Sequence, residues 1–190
     1  MLPIRAHLRD GGCAVGIFLV CTTLYVATLT PGLAHLGGDG HELTVVAATL
    51  GLAHPTGYPL YTWLGHLFTL LPIGDVAYRT NLMSAVLGGA GVALLYLVAR
   101  RLALRPGIAA FTALLFGVTT TFWSQAVITE VYAPNVFALA LVLWLLLRWA
   151  GRPADGRLAV CAFAYGLSLG MHFSNAAFAP AIAQIGRAHV

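Results

Sequence analysis

The sequence predicts an all-α, polytopic membrane protein, on the basis of its composition, its long apolar runs and the placement of its arginines. Hydrophobic residues make up 59% of the 190-residue chain and charged residues only 8%, and the mean hydropathy is +0.86. A soluble domain of this length needs far more charge to cover its surface, so the composition excludes that class. The chain contains no lysine, and its basic excess comes from arginine.

Five apolar runs approach the 17 to 25 residues or so that a helix needs to cross a bilayer. They cover about Gly12–Pro31, Asn81–Ala99, Gly107–Trp123, Asn135–Trp149 and Leu158–His172. We expect residues 1–184 to form one transmembrane domain, which is cut short after the apolar "AAFAPAIAQ". The final "IGRAHV", residues 185–190, resembles one reading frame of a sequencing-adapter oligonucleotide, and we expect it to be a non-native tail.

The arginines indicate the orientation of the chain. Three groups precede the first run, follow the second and follow the fourth: Arg5 and Arg9; Arg100, Arg101 and Arg105; Arg148, Arg152 and Arg157. These groups fall on one side of the membrane, and by the positive-inside rule that side is cytoplasmic. The predicted protein is therefore multi-pass in the plasma or inner membrane, with a cytoplasmic N-terminus. A cleaved signal peptide is the alternative, but no clean cleavage site follows the long apolar core.

The first external loop, about residues 37–65, predicts two short helices. Apolar residues recur at helical spacing from Leu43 to Leu50, and a second apolar stripe runs from Leu60 to Leu71. Between them, "HPTGYP" forces a turn, because two prolines and a glycine cannot continue a helix. Both segments are too short to span. We therefore expect amphipathic helices over Glu42–Leu52 and Tyr58–Leu71, lying in the outer interface.

Acidic and histidine side chains gather on the same external side: Asp39, Glu42, His54, Glu130 and His172. Independent solvation needs would not collect them so consistently, and an acid near a membrane end is costly without a partner or a function. Simpler roles stay open for each of them. Asp39 and Glu42 have nearly the spacing of a capping box. Glu130 could pair with Arg79, and a lone histidine such as His172 is more often a packing residue than a ligand.

Three other motifs carry no separate chemistry. "HEL" is no zinc-protease motif, because Val45 stands where the second histidine belongs. "GGAGVA" follows no strand and is typical of close packing between transmembrane helices. The three cysteines lie in apolar runs without metal-ligand spacing. We expect no cofactor and nominate no metal ligands, although a divalent metal stays open.

The matching segments "DGHEL", "LGLAHPTGYPLYTWLGHLFTLLP", "AYRTNLMSAVLGG", "TFWSQAVITEVYAPN" and "GLSLGMHFSN" resemble a known family. Its members are polytopic, mostly bacterial membrane proteins long classed as a domain of unknown function. Their animal relative is a transmembrane protein O-mannosyltransferase. The segments occur in the family's order over most of Asp39 to Asn175, and Thr56 stands where the family usually has a second proline.

The resemblance implies a glycosyltransferase of the GT-C class, which takes a sugar from a polyprenyl-phosphate donor. It implies Asp39 as the catalytic carboxylate and Glu42 as the second choice. The expected substrate-binding residues are His54, Tyr58, Arg79, Glu130 and His172. The expected partners are the lipid-linked donor, a protein or glycan acceptor and the bilayer, with no nucleic acid. A multi-span transporter and a non-catalytic membrane scaffold are the alternatives.

Overall fold

The computed structural model describes residues 4–33 and 38–187, and within these ranges every regular element is a helix. The nine α-helices are α1 (Ile4–Ala27), α2 (Gly40–Thr49), α3 (Pro59–Thr69), α4 (Val76–Arg101), α5 (Pro106–Gly117), α6 (Thr120–Ala126), α7 (Tyr132–Gly151), α8 (Asp155–Met171) and α9 (Ala179–Arg187). A short 3-10 helix, Phe173–Phe178, connects α8 to α9. The predicted all-α class is confirmed.

Among the described residues, three helices are long and apolar enough to cross a membrane: α1 over Leu8–Ala27, α4 and α7. The helices α5 and α6 meet at 67° and make a fourth crossing if they are counted as one broken span. The break lies at Thr119, which is extended and whose hydroxyl accepts a hydrogen bond from the Phe122 N–H. Thr119 therefore begins a new helix inside the run that we expected to be continuous.

The fifth expected span, Leu158–His172, corresponds to α8, which has 17 residues. Its first turn carries Asp155 and Arg157, so its apolar part is shorter still. The helix ends where His172 becomes extended and begins the 3-10 helix. The structure thus gives three or four candidate crossings, where the sequence suggested about five.

The segment that we predicted to be the first external loop contains two separate short helices, as expected. The helix α2 ends at Thr49 rather than Leu52, because Leu50 adopts the left-handed conformation. The helix α3 begins at Pro59, directly after the predicted turn. Leu43 of α2, Tyr61 of α3 and Met83 of α4 are fully buried in one cluster, whereas Trp63 on α3 is 71% exposed. An exposed tryptophan on a short helix agrees with a place in the membrane interface, which stays a prediction.

Close packing of α4 against its neighbours holds the bundle together. An added Cβ at Gly91 would lie 3.1 Å from the Phe137 backbone nitrogen of α7, a tight contact that would push the two helices slightly apart. Tyr25 of α1 is buried and donates a hydrogen bond of 2.8 Å to the Gly117 carbonyl of α5. The "GGAGVA" motif is thus a packing surface, as the sequence indicated.

The bundle has two chemically different ends. The helices α4 and α7 both begin beside α2 and α3 and both end at arginines, Arg100 and Arg101 on α4 and Arg148 on α7. At 1.5 Å per residue, the 26 residues of α4 span roughly 39 Å. In the predicted tail, residues 185–187 continue α9, and residues 188–190 lie outside the described ranges.

Candidate active site

Asp39 lies immediately before α2 with its carboxylate 54% exposed. Its side chain accepts no hydrogen bond from the helix backbone, so capping does not account for this residue. Its own backbone N–H donates to Glu130 Oε1 at 3.1 Å. In a capping box, the acid three residues into the helix accepts a hydrogen bond from the backbone N–H of the N-cap residue. Here Glu130, 91 positions away, accepts that bond, and the Asp39 carboxylate is left exposed.

Glu42, in the first turn of α2, reaches across to the turn that precedes α3. One carboxylate oxygen accepts from the His54 backbone N–H at 2.6 Å, and the other lies 2.9 Å from His54 Nδ1. This hydrogen bond raises the pKa of His54, and the charges of Asp39 and Glu130 add to the shift. The same bond lowers the pKa of Glu42. The pair therefore favours an imidazolium beside a carboxylate.

The second nitrogen of His54 connects the pair to Asp39 and Tyr58. His54 Nε2 lies 3.7 Å from Asp39 Oδ2 and 3.2 Å from the Tyr58 hydroxyl. Tyr58 has a left-handed backbone, with φ of 45°, directly before Pro59. A tyrosine in that conformation is strained, and such strain concentrates at functional sites. The turn thus aims the Tyr58 side chain at His54.

His172 completes the aromatic side of the cluster. Its ring lies 5.6 Å from the Tyr58 ring and 6.2 Å from the Tyr132 ring. Its Nδ1 accepts a hydrogen bond from the Ser174 N–H at 3.2 Å and so begins the 3-10 helix. Burial lowers the pKa of His172. His172 is thus a neutral packing partner of Tyr58 that also has a structural task.

Glu130 lies beneath the cluster, in the segment between α6 and α7, and is only 6% exposed. Burial raises the pKa of Glu130, and the nearby Asp39 charge raises it further. Gly38 has φ of +93°, and a Cβ there would collide with Glu130 Oε1. A Cβ at Gly40 would lie 2.9 Å from the Thr129 carbonyl. Gly38 and Gly40 therefore allow the chain around Asp39 to lie directly on Glu130.

A buried polar network that the sequence analysis missed fixes the Glu130 segment. Thr129 Oγ1 lies 2.6 Å from Thr80 Oγ1 and donates to Asn81 Oδ1 at 2.6 Å. Asn81 Nδ2 donates to the carbonyls of Thr30 and Gly32. The signal was present in the sequence, since Thr80 and Asn81 are adjacent polar residues at the start of an apolar span.

Arg79 takes no part in this cluster. Its guanidinium donates to three backbone carbonyls, those of Thr69, Ile73 and Gly74, at distances of 2.6 to 2.9 Å. It therefore holds the connection between α3 and α4 and does not form the pair with Glu130 that the sequence left open. Six of the seven residues predicted for the site come together, and Arg79 lies apart.

Three of these side chains offer the donor atoms of a metal site. One ligand atom each of Asp39, Glu42 and His54 lies within 4.8 Å of the other two. Two carboxylate oxygens and an imidazole nitrogen suit a divalent cation. Without a metal, Glu42 and His54 satisfy each other through the direct 2.9 Å contact between Oε2 and Nδ1.

Comparison with known proteins decides the family. A family model described as "Protein O-mannosyl-transferase TMEM260 N-terminal domain" matches residues 39–186. The chain belongs to this family. The match begins at Asp39 and includes every residue of the cluster described above, so the TMEM260 N-terminal domain contains the whole candidate site.

Two curated relatives carry the same name. The chain is 34% identical over 166 residues to mouse protein O-mannosyl-transferase TMEM260, covering 85% of this chain and 24% of the mouse protein. It is 32% identical over 136 residues to the Dictyostelium discoideum protein of that name, covering 70% of this chain and 16% of the relative. The chain thus spans a quarter or less of the relatives it matches. No solved structure matches it.

Proposed function

We propose that this TMEM260-family chain is the N-terminal part of a GT-C-type membrane glycosyltransferase. It would transfer a sugar, mannose by analogy with the relatives' name, from a polyprenyl-phosphate donor to a hydroxyl of a protein or glycan acceptor. The observation that carries the proposal is the gathering of Asp39, Glu42 and His54 above the buried Glu130 at one end of the bundle. A scaffold has no need of such a cluster.

Asp39 is the proposed general base. Its carboxylate is exposed, accepts no cap hydrogen bond and is therefore available to an acceptor hydroxyl. As the acceptor oxygen bonds to the anomeric carbon of the sugar, the bond from that carbon to the phosphate oxygen breaks. The acceptor proton passes to Asp39, and the electron pair leaves on the polyprenyl phosphate. Glu42 is the second choice for the base.

His54 is the proposed partner of the departing phosphate. A leaving phosphate needs positive charge or hydrogen-bond donors, and the raised pKa of His54 keeps its imidazole protonated to a higher pH than usual. Glu42 holds the ring through Nδ1, so Nε2 points toward Asp39 and Tyr58. Arg79 was expected among the substrate-binding residues, but its guanidinium is held away from the cluster by three backbone carbonyls.

The remaining residues would bind and position the substrates. Tyr58 and His172 offer an aromatic wall on which a sugar ring can pack. Glu130 fixes the backbone of Asp39 through a hydrogen bond, and its buried carboxyl lies close enough to Asp39 and His54 to interact with their charges. The proposed location is the extracytoplasmic face of the plasma or inner membrane, because the arginine-rich ends of α4 and α7 lie at the opposite end.

Asp39→Asn tests the proposal in the intact protein. The change removes one charge and keeps the size of the side chain, and the structure shows no cap bond that it would break. We expect sugar transfer from a polyprenyl-phosphate donor to fall on the order of 100-fold or more, since a general base is lost. Asp75→Asn is the matched control, because Asp75 caps α4 through the Tyr78 N–H on the same side.

Normal transfer by the Asp39→Asn protein would refute the role of Asp39. The same measurement would then pass to Glu42→Gln and next to Glu130→Gln. If all three variants transferred normally, the cluster would not be an active site.

A further inference from the structure

The end of the bundle opposite the candidate active site contains a cavity of about 890 Å³. It lies among α1, α4, α7 and α8, and its charged lining consists of Asp10, Arg100, Arg101, Arg148, Arg152 and Arg157. A cavity of this size falls in the range of small-molecule sites, roughly 300 to 1,000 Å³. Five arginines against one aspartate make it strongly positive.

Asp10 is paired with one arginine of the cavity. Asp10 Oδ1 lies 2.8 Å from Arg100 Nε, and both side chains are 11% exposed. The Tyr96 hydroxyl donates to the same oxygen at 3.2 Å. Asp10 is therefore a structural tie between α1 and α4, and the described lining contains no second acid to balance Arg101, Arg148 and Arg157.

Two of the arginines are held in place by local contacts. The Arg148 guanidinium lies over the Trp144 ring, 4.6 Å from its centre. Arg157 donates to the Arg152 carbonyl at 2.8 Å, which fixes the turn between α7 and α8. Arg101 belongs to α4, so separate helices bring these like charges to one concave surface. Their mutual repulsion falls when an anion lies between them.

The positive-inside bias accounts for arginines on this side of the membrane but not for their arrangement. Arg105 follows the same bias, stands at the residue before α5 and lies outside the cavity lining. The positive-inside bias alone would place arginines anywhere at this end of the bundle, and Arg105 is an example outside the cavity. The concave cluster instead has the composition of the basic pockets that bind phosphate-bearing headgroups between membrane helices.

We propose that this cavity binds a phosphate-bearing anion with more than one negative charge. The planar guanidinium fork of arginine matches phosphate oxygens in pairs. The shared chemistry is a terminal phosphate, and its source is either an anionic lipid headgroup or a free phosphate compound. The proposal is independent of the reaction at Asp39, because no residue is common to the two sites.

A binding titration by native mass spectrometry tests the proposal on the full chain in nonionic detergent. The probes are short-chain phosphatidic acid, phosphatidylcholine of equal chain length, and inorganic pyrophosphate. The variants are Arg101→Gln, Arg148→Gln and their combination, with Arg105→Gln as the matched control. We expect phosphatidic acid to bind, and each cavity variant to weaken binding about tenfold, the value of one charge-assisted hydrogen bond.

Arg105→Gln should leave the affinity unchanged, and phosphatidylcholine should bind far more weakly. Competition by pyrophosphate would identify a free phosphate compound as an accepted source, and its failure would identify the lipid headgroup. Equal weakening by Arg105→Gln, equal binding of phosphatidylcholine, or unchanged affinity in the cavity variants would overturn the proposal. If the double variant fails to fold, as circular dichroism would show, the single variants are compared with Arg105→Gln.

Discussion

The pair between Glu42 and His54 links the candidate site to pH. The pKa of His54 is raised, so its contribution to stability is complete below its ordinary value of about 6.5 and is lost as the pH rises through the raised value. The pKa of Glu42 is lowered, so its contribution is present above about 4.3 and is lost as the pH falls through the lowered value. The ion pair therefore persists over a wider pH range than the ordinary pKa values of the two groups would allow, reaching below that of Glu42 and above that of His54.

Glu42→Gln should lower the pKa of His54 toward its ordinary value, because the amide keeps a hydrogen-bond acceptor but loses the charge. The measurement is the pH dependence of histidine C2 hydrogen exchange, read by mass spectrometry for each histidine. His172 is the internal control, since its pKa is lowered by burial and should not change. An identical His54 pKa in both proteins would show that Glu42 does not hold the imidazolium.

At the scale of elements, the connection between α3 and α4 depends on one side chain. The Arg79 guanidinium joins the end of α3, through the Thr69 carbonyl, to the loop that precedes α4. A lysine keeps the charge, but its single ammonium cannot reproduce the planar fork that three carbonyls require. We therefore expect the planar fork of Arg79, and not its charge alone, to hold this connection.

Both Arg79→Lys and Arg79→Gln should loosen residues 70–75. We expect amide hydrogen exchange there to rise about tenfold, which corresponds to the loss of a hydrogen bond from a charged donor. Exchange in α1, which Arg79 does not touch, serves as the reference. Full protection in the lysine variant, with loss only in the glutamine variant, would show that charge rather than the fork holds this loop.

At the scale of the whole molecule, we expect the two polar ends to lie on opposite sides of a membrane. The carboxylate cluster and the arginine cavity are separated by the length of α4. A charged group costs several kcal/mol in the bilayer interior, so neither end can be embedded. The orientation proposed from the arginines then places Asp39 outside and Arg148 inside.

A membrane-impermeant maleimide applied to intact cells tests this orientation. A cysteine at Leu52, which is 86% exposed beside the site, should react, and a cysteine at Arg105 should react only after the membrane is opened. A cysteine at Gly38, next to Asp39, is less suitable, because its Cβ would collide with Glu130 Oε1. The unchanged chain, with its three native cysteines, gives the background. The reverse labelling pattern would place the cluster on the cytoplasmic side.

Local signals in the sequence determined much of this protein. The composition predicted a membrane protein. The run "HPTGYP" predicted the separation of α2 from α3, because proline and glycine limit the local backbone conformation whatever the tertiary structure. Counting the apolar runs also predicted that Asp39, Glu42, His54 and Glu130 lie on the same side, because the chain changes side with each membrane crossing. The break at Thr119 was missed, because a threonine inside an apolar run continues a helix as readily as it caps one.

Only the tertiary structure decided how these residues meet. Glu130 accepts a hydrogen bond from the Asp39 N–H, 91 positions away in the chain. Arg79 donates to backbone carbonyls rather than to a carboxylate. Arginines from separate helices line one cavity. Each partner depends on which groups lie within about 3.5 Å of one another after the helices pack, since hydrogen bonds are lost beyond that distance. The sequence predicts on which side of the membrane a residue lies, whereas the packing of the helices determines which group it hydrogen-bonds to.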